Sequence, residues 1–184
     1  MKKSKLHLGC GWRDFGSDWT HIDDGDYRHL DFKSNIIELP MIEDGSIDII
    51  YASHVIAYFN RDEIRDVLEE WKRTLKVGGV LRIATPDFYC ITKLYNDGKI
   101  DIEGIVGPLY GKMGMDGNII YHKTTYDFES LKLVLRSCGF INVKLYDWRE
   151  TEHSQHDDHS QSYIPHMDKN NGKLISLNIE CIKV

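Results

Sequence analysis

Apolar positions in this chain come in short runs closed by glycine, aspartate or proline, and the runs follow two different periods. Leu6-His7-Leu8, ended by Gly9, predicts a strand. Thr20-His21-Ile22-Asp23 predicts a second strand with an acidic end, and His29-Leu30-Asp31-Phe32 a short third. The run Ile47 to Ala52 is rich in β-branched and aromatic residues, as in a strand buried on both faces of a parallel sheet. Val80 to Ala84 follows Gly78-Gly79 and stops before Pro86. Between these two runs, Ile64, Val67, Leu68, Trp71 and Leu75 repeat at helical spacing. Asn60 and Glu63 supply a capping box at its start, and Gly78 a stop. Strand, helix and strand of these lengths make a βαβ unit.

A second helix is predicted from near Asp87, carrying Ile91, Leu94 and Tyr95, to Gly98. Residues 107–125 are glycine-rich without a period, which predicts a long loop or lid. A third helix starts at Thr125 or Asp127, with Leu131, Val134, Leu135 and Cys138 inward and Gly139 as its stop. Phe140 to Trp148 and Leu174 to Val184 read as strands with no helix between them, so the last is expected antiparallel. The tract joining them, 150–172, is the most polar in the chain. The order implies an α/β fold with a mostly parallel sheet.

The 184 residues fit a single domain spanning 1–184. No segment reaches the roughly 18 apolar residues of a membrane span, and the basic start MKKSKLHLG lacks the apolar stretch of a signal peptide, so a cytoplasmic protein is expected. Cys10, Cys90, Cys138 and Cys181 are scattered, which suggests neither a zinc ribbon nor a disulfide framework. The net charge of −6 makes nucleic acid an unfavoured partner. The His and Asp residues of 150–172 do not follow a known zinc spacing, so no metal is expected.

Gly9-Cys10-Gly11 ends the first strand, and by itself is equally a tight turn or a ligand loop. A dinucleotide fingerprint would place a third glycine at position 14, which is Asp14, and would open a helix. Only Cys10 to Asp18 separate Gly9 from the next strand, and Gly16-Ser17 interrupt them, so the first crossover helix is shortened or missing. Without a helix N-terminus a pyrophosphate loses its main anchor. A Walker loop is excluded by the absence of G-K-[ST]. A nucleoside-like ligand without a phosphate chain remains. Asp23 offers two acceptor oxygens to a ribose diol, and Asn35 or Asp31 an acceptor to an adenine amino group. S-adenosylmethionine (SAM) meets these demands.

Here the chain resembles the class I SAM-dependent methyltransferases of the methyltransferase type 11 group. "LHLGCG" is similar to the family's glycine motif and "HID" to its ribose-binding acidic motif. "NIIELPMIEDGSIDIIYASHVIAYF" (35–59) and "LEEWKRTLKVGGVLRIATPDF" (68–88) resemble its two following blocks, so the likeness covers residues 5–88. It implies a Rossmann-like three-layer α/β/α fold with seven strands, the last antiparallel, and SAM as cofactor with S-adenosylhomocysteine (SAH) as product. It also implies a cofactor site formed by Gly9, Cys10, Gly11, Trp12, Asp23, Asp31, Asn35, Ile36, Ser53 and His54. The chain departs from the family pattern at Ala57, a Glu in the family, and at Tyr58, a His.

Methyl transfer to a hydroxyl or amine needs alignment and a proton acceptor. The candidates are His54 after the fourth strand, His122 at the end of the 107–125 loop, and His156, Asp157 and His159 in the polar tract. The sixth strand is expected parallel to the first five, so this tract leaves on the cofactor side and is expected, with 107–125, to cover the acceptor. The reading is a methyltransferase for a small polar molecule, with a saccharide or sugar-nucleotide hydroxyl first. The rivals are an RNA or protein methyltransferase, a SAM-binding module that regulates or scaffolds a partner, and, disfavoured by the missing helix, a nicotinamide oxidoreductase.

Overall fold

The computed structural model describes residues 4–115 and 117–184, so the basic MKK start and position 116 of the expected loop lie outside the described residues. The strands are β1 (Lys5–Leu8), β2 (Thr20–Asp23), β3 (Phe32–Lys33), β4 (Ile47–Ser53), β5 (Leu75–Pro86), β6 (Met113–Met115), β7 (Asn118–Ile120), β8 (Phe140–Leu145), β9 (Tyr163–Ile164), β10 (Lys173–Leu174) and β11 (Ser176–Lys183). The α-helices are α1 (Ile64–Thr74), α2 (Phe88–Asn96), α3 (Ile102–Tyr110) and α4 (Phe128–Ser137). Seven strands form one sheet in the order β3-β2-β1-β4-β5-β11-β8. β1 to β5 pair in parallel, and β11 runs antiparallel to both β5 and β8. β8 therefore points the same way as β5, as expected.

Strand alternation divides the core. Leu6, Leu8, Ile50, Ala52, Leu81 and Ile83 join one cluster with Val67, Leu68 and Trp71 of α1 and Leu131 and Leu135 of α4. Tyr51 lies opposite His7 in register and faces the other side, with Phe15, Trp19 and Ile49. Asn60 forms the expected box: its Oδ1 accepts from the backbone N–H of Glu63 at 2.8 Å, and Glu63 accepts from the N–H of Asn60 at 3.0 Å.

Three expectations are corrected. α1 ends at Thr74, not Gly78, because Leu75 already pairs with Ile47 as strand; the pairing then shifts, so residues 76–79 bulge. The third strand is Phe32–Lys33, because Asp31 turns its carboxylate onto the N–H of His21 at 2.8 Å. The 107–125 segment is not a plain loop: it contains the end of α3, capped by Asp101 and stopped by Gly111 at φ +52°, and the β6–β7 hairpin. Within the polar tract, Thr151, His153, Asp158, Ser160 and Gln161 are buried.

No helix lies between β1 and β2. Their shared face is covered by Phe15 and Trp19 from the connection, and by the polar tract. Phe15 stacks on His7 at 4.1 Å and on His156 at 4.5 Å, and His153 lies 4.0 Å from Tyr51, ring centre to ring centre. Arg82 of β5 ties the tract down through Glu152 at 2.7 Å.

Candidate functional site

The carboxyl ends of β1, β2 and β4 meet along one edge, where open α/β sheets hold their ligands. Gly9 and Gly11 sit there at φ +61° and +57°, for different reasons. A Cβ on Gly9 would stand 2.4 Å from Val55 Cγ2, so this glycine answers close packing within the chain. A Cβ on Gly11 would meet nothing within 4 Å, so this glycine faces open space. Asp23 fixes the loop, accepting from the N–H of Gly11 at 2.8 Å and of Gly25 at 2.7 Å. Each carboxylate oxygen retains a lone pair for a ribose hydroxyl. Ser53, at the end of β4, carries a buried hydroxyl with no partner in the protein. Open space before a bare backbone, an anchored carboxylate and an orphaned hydroxyl on one edge fit SAM.

The remaining expected cofactor residues are placed differently. The Cys10 side chain is buried against His29, 3.6 Å away, and burial pushes its thiol up to about 12, so only its backbone can face a ligand. Trp12 is exposed, with the Arg13 guanidinium 4.7 Å above its ring. Asp31 braces the edge of β2 at His21, below the site. The Asn35 oxygen, expected at the adenine, is taken by the N–H groups of Ile37 and Glu38. The Ile36 side chain is in the main core, and its carbonyl accepts from the Trp71 indole at 2.8 Å.

His54 follows β4 with φ +55°, a left-handed conformation that a non-glycine residue adopts at a cost of about 1 kcal/mol. Its N–H donates to Ala84 O at 2.7 Å, and its Nε2 is 3.3 Å from Ser176 Oγ on β11. His159 stands 5.1 Å from it, ring centre to ring centre. Burial, then the charges of His159, His122 and Arg13, hold the His54 imidazole well below its ordinary range. Burial and then Arg13 lower His159. Burial lowers His122, which is packed against Tyr58 and whose Nδ1 lies 3.3 Å from Leu109 O. All three imidazoles are therefore neutral at pH 7.

Of the tract's candidates, the structure brings only His159 to His54. His156 lies on Phe15, and the Asp157 carboxylate turns to Lys169 at 2.8 Å. Sequence reasoning missed what places His159. Tyr51 OH and Ser160 Oγ donate to the two oxygens of buried Asp158. Asn178 Nδ2 donates to Ser160 O at 2.9 Å, and Asn178 Oδ1 accepts from Ser176 Oγ at 2.9 Å. A chain of polar contacts thus runs from the sheet face to His54. The only readable signal was the short Asp-His-Ser run at 158–160. At the family's Glu-His positions, Ala57 O accepts from the N–H groups of Lys123 and Thr124, and Tyr58 OH donates to Gly111 O at 2.6 Å. Ala57 holds the segment that leaves the hairpin, and Tyr58 the residue that leads into it. Among the described residues no group of three His, Cys, Asp or Glu side chains is arranged for a metal ion, and no helix is long and apolar enough to cross a membrane.

A family model described as a methyltransferase domain matches residues 16–83. No curated protein matches the chain. Among solved structures, a SAM-dependent methyltransferase of Archaeoglobus fulgidus superimposes with a TM-score of 0.59 at 17% identity, over 98% of this chain and 86% of that one. One from Thermotoga maritima, described as a possible histamine N-methyltransferase, gives 0.57 at 18%, over 100% and 83%. A Burkholderia thailandensis 1,6-didemethyltoxoflavin N1-methyltransferase, solved with its substrate and SAH, gives 0.57 at 12%, over 99% and 71%. Residues 16–83 thus match a methyltransferase domain, and the fold is that of solved SAM-dependent methyltransferases.

Proposed function

We propose that the acceptor is a hydroxyl on a small polar molecule of the saccharide or sugar-nucleotide class, and that His159, backed by His54, takes its proton. The observation that carries this is the His54–His159 pair, two neutral imidazoles 5.1 Å apart at the carboxyl end of β4, next to the glycine loop. When bound, SAM supplies a methyl group on a cationic sulfur. Gly11 and Asp23 would hold the ribose and amino-acid part, and Ser53 would give its unpartnered hydroxyl to the same ligand. The ring of His159 is exposed enough to meet an acceptor, and a neutral imidazole can accept a hydroxyl proton as the new bond forms. Ser176 and the left-handed backbone fix the ring of His54 behind it. In this reading residues 1–184 work as one domain in the cytoplasm, and 107–125 with 150–172 cover the acceptor.

The test is a 14-Da mass gain from SAM across sugar nucleotides, glycosides, amines, RNA and peptides. A methylated sugar is expected, with His159→Ala lowering kcat about a hundredfold or more and leaving SAH affinity unchanged. Methylation of amines, RNA or peptides alone, or full turnover by His159→Ala, refutes the reading.

A further inference from the structure

The connection that replaces the first crossover helix has no regular structure of its own, yet it leads directly out of the glycine loop. Residues 12–19 make few hydrogen bonds among themselves: Gly16 N donates to Asp14 Oδ1 at 2.7 Å, and Trp19 N to Gly16 O at 3.1 Å. What holds them comes from elsewhere in the chain. Phe15 is enclosed by rings, with His7 at 4.1 Å beneath it, His156 at 4.5 Å above it, and Trp19 and His153 beside it. Its N–H donates to His21 Nε2 at 2.9 Å. Two residues earlier, Arg13 Nε donates to the carbonyl of Asp157 at 3.1 Å. The tract offering these contacts is itself pinned to the sheet by Asp158 through Tyr51 and by Glu152 through Arg82.

We infer that residues 10–19 and 153–158 form one interlocked unit that sets the glycine loop for the cofactor, with Phe15 and His156 as positioning residues. In a helical version of this connection the backbone itself would keep the loop in shape. Here the shape of Gly9 to Arg13 depends on a stack whose upper ring comes from a segment more than 130 residues away in the chain. His156 is placed to act by its flat face, and its ring meets Phe15 rather than the acceptor edge. Affinity for the cofactor is reduced by the fraction of molecules whose loop is out of place, so loosening the stack weakens binding without touching a binding residue. This inference rests on the cofactor site and is independent of the acceptor class.

SAH titration by calorimetry, alongside thermal unfolding, tests it. His156→Ala is expected to weaken SAH about three- to tenfold, the range set by one ring stack, while the protein stays folded at the assay temperature. His156→Phe keeps the flat ring and restores affinity to within about twofold. Unchanged affinity in His156→Ala overturns the inference, and so does a His156→Phe variant as weak as the alanine one. Hydrogen exchange on the unaltered protein provides a second test that needs no variant. Adding SAH is expected to protect peptides from 9–19 and 153–158 together; protection confined to the glycine loop overturns the inference.

Discussion

His153 makes the fold sensitive to acid by an amount that can be worked out. Its ring is 1% exposed, and neither nitrogen has a hydrogen-bond partner. It lies 4.0 Å from the Tyr51 ring, 5.5 Å from Phe15 and 5.6 Å from Trp19. Burial, and after it the charge of Arg82, lowers the imidazole to about 3; Glu152 opposes this, and His156 and Lys5 add to it. The unfolded chain binds the proton at about 6.5, so below that pH the unfolded state gains protons that the folded state refuses. Stability from this group is complete above pH 7 and falls with pH through the window between 6.5 and 3. Between pH 7 and 5 the loss is about 2 kcal/mol, set almost wholly by the unfolded value because the folded ring is still neutral at pH 5. His153→Phe keeps the ring in place and removes the proton site. Urea unfolding followed by tryptophan fluorescence at pH 5, 6, 7 and 8 measures both proteins. The fall in unfolding free energy from pH 7 to 5 is expected to be about 2 kcal/mol smaller in His153→Phe. Equal falls in the two proteins would refute the reasoning, for His153 would then be titrating in the folded state as it does in the unfolded chain. His7, buried beside it and held well below its ordinary range, acts in the same direction and is common to both proteins.

The two glycines separate stability from binding. Gly11→Ala is expected to cost only the backbone strain of about 1 kcal/mol and to abolish SAH binding by calorimetry. Gly9→Ala adds a clash with Val55 and is expected to lose about 2–4 kcal/mol in urea unfolding, part of which Val55→Ala restores. Tyr51→Phe removes the hydroxyl that donates to the buried Asp158 carboxylate and is expected to destabilise by about 1.5–3 kcal/mol, measured by the same unfolding.

The sheet was legible because its strands carry strong short-range patterns. Leu6 and Leu8, Ile49 to Ala52, and Leu81, Ile83 and Ala84 are buried as their runs predict. α1 was legible because its buried face repeats every three or four residues. α3 was not, because none of its residues is buried and Gly104, Gly107 and Pro108 interrupt any period. Its readable marks were only its ends, Asp101 accepting from Gly104 N–H at 3.0 Å and the left-handed Gly111. Asp23 and Gly11 were legible as groups at strand ends, and the structure joins them through the Gly11 N–H and the Asp23 carboxylate. Asn35 was not, since its oxygen is occupied by a turn three residues long. Nothing in the types of Ala57 and Tyr58 announced that they hold the chain on either side of the hairpin, because one acts through its carbonyl and the other through a distant carbonyl partner.

The missing first helix and the polar tract are two sides of one solution. The face of β1 and β4 that carries His7 and Tyr51 has to be covered, and the residues between β1 and β2 are too few to do it. Cover therefore comes from the connection between β8 and β11. That connection is polar in composition yet buries Thr151, His153, Asp158, Ser160 and Gln161, and Asp158 and Gln161 are satisfied locally. Asp158 is met by Tyr51 and Ser160, and Gln161 by Lys169 at 2.6 Å and by the His156 carbonyl at 2.8 Å. Histidines supply the flat rings that pack against Phe15 and Tyr51, a role that hydropathy does not register. A segment with this task has no period to read. It is held by Arg82, level with Tyr51, through Glu152, and reaches the carboxyl ends, where His159 meets His54. Covering the face thus carries His159 to His54 at the carboxyl end of β4, and the same stretch of chain lays His156 on Phe15 beside the glycine loop, which is how the proposed reading has one segment serve both the cofactor loop and the acceptor.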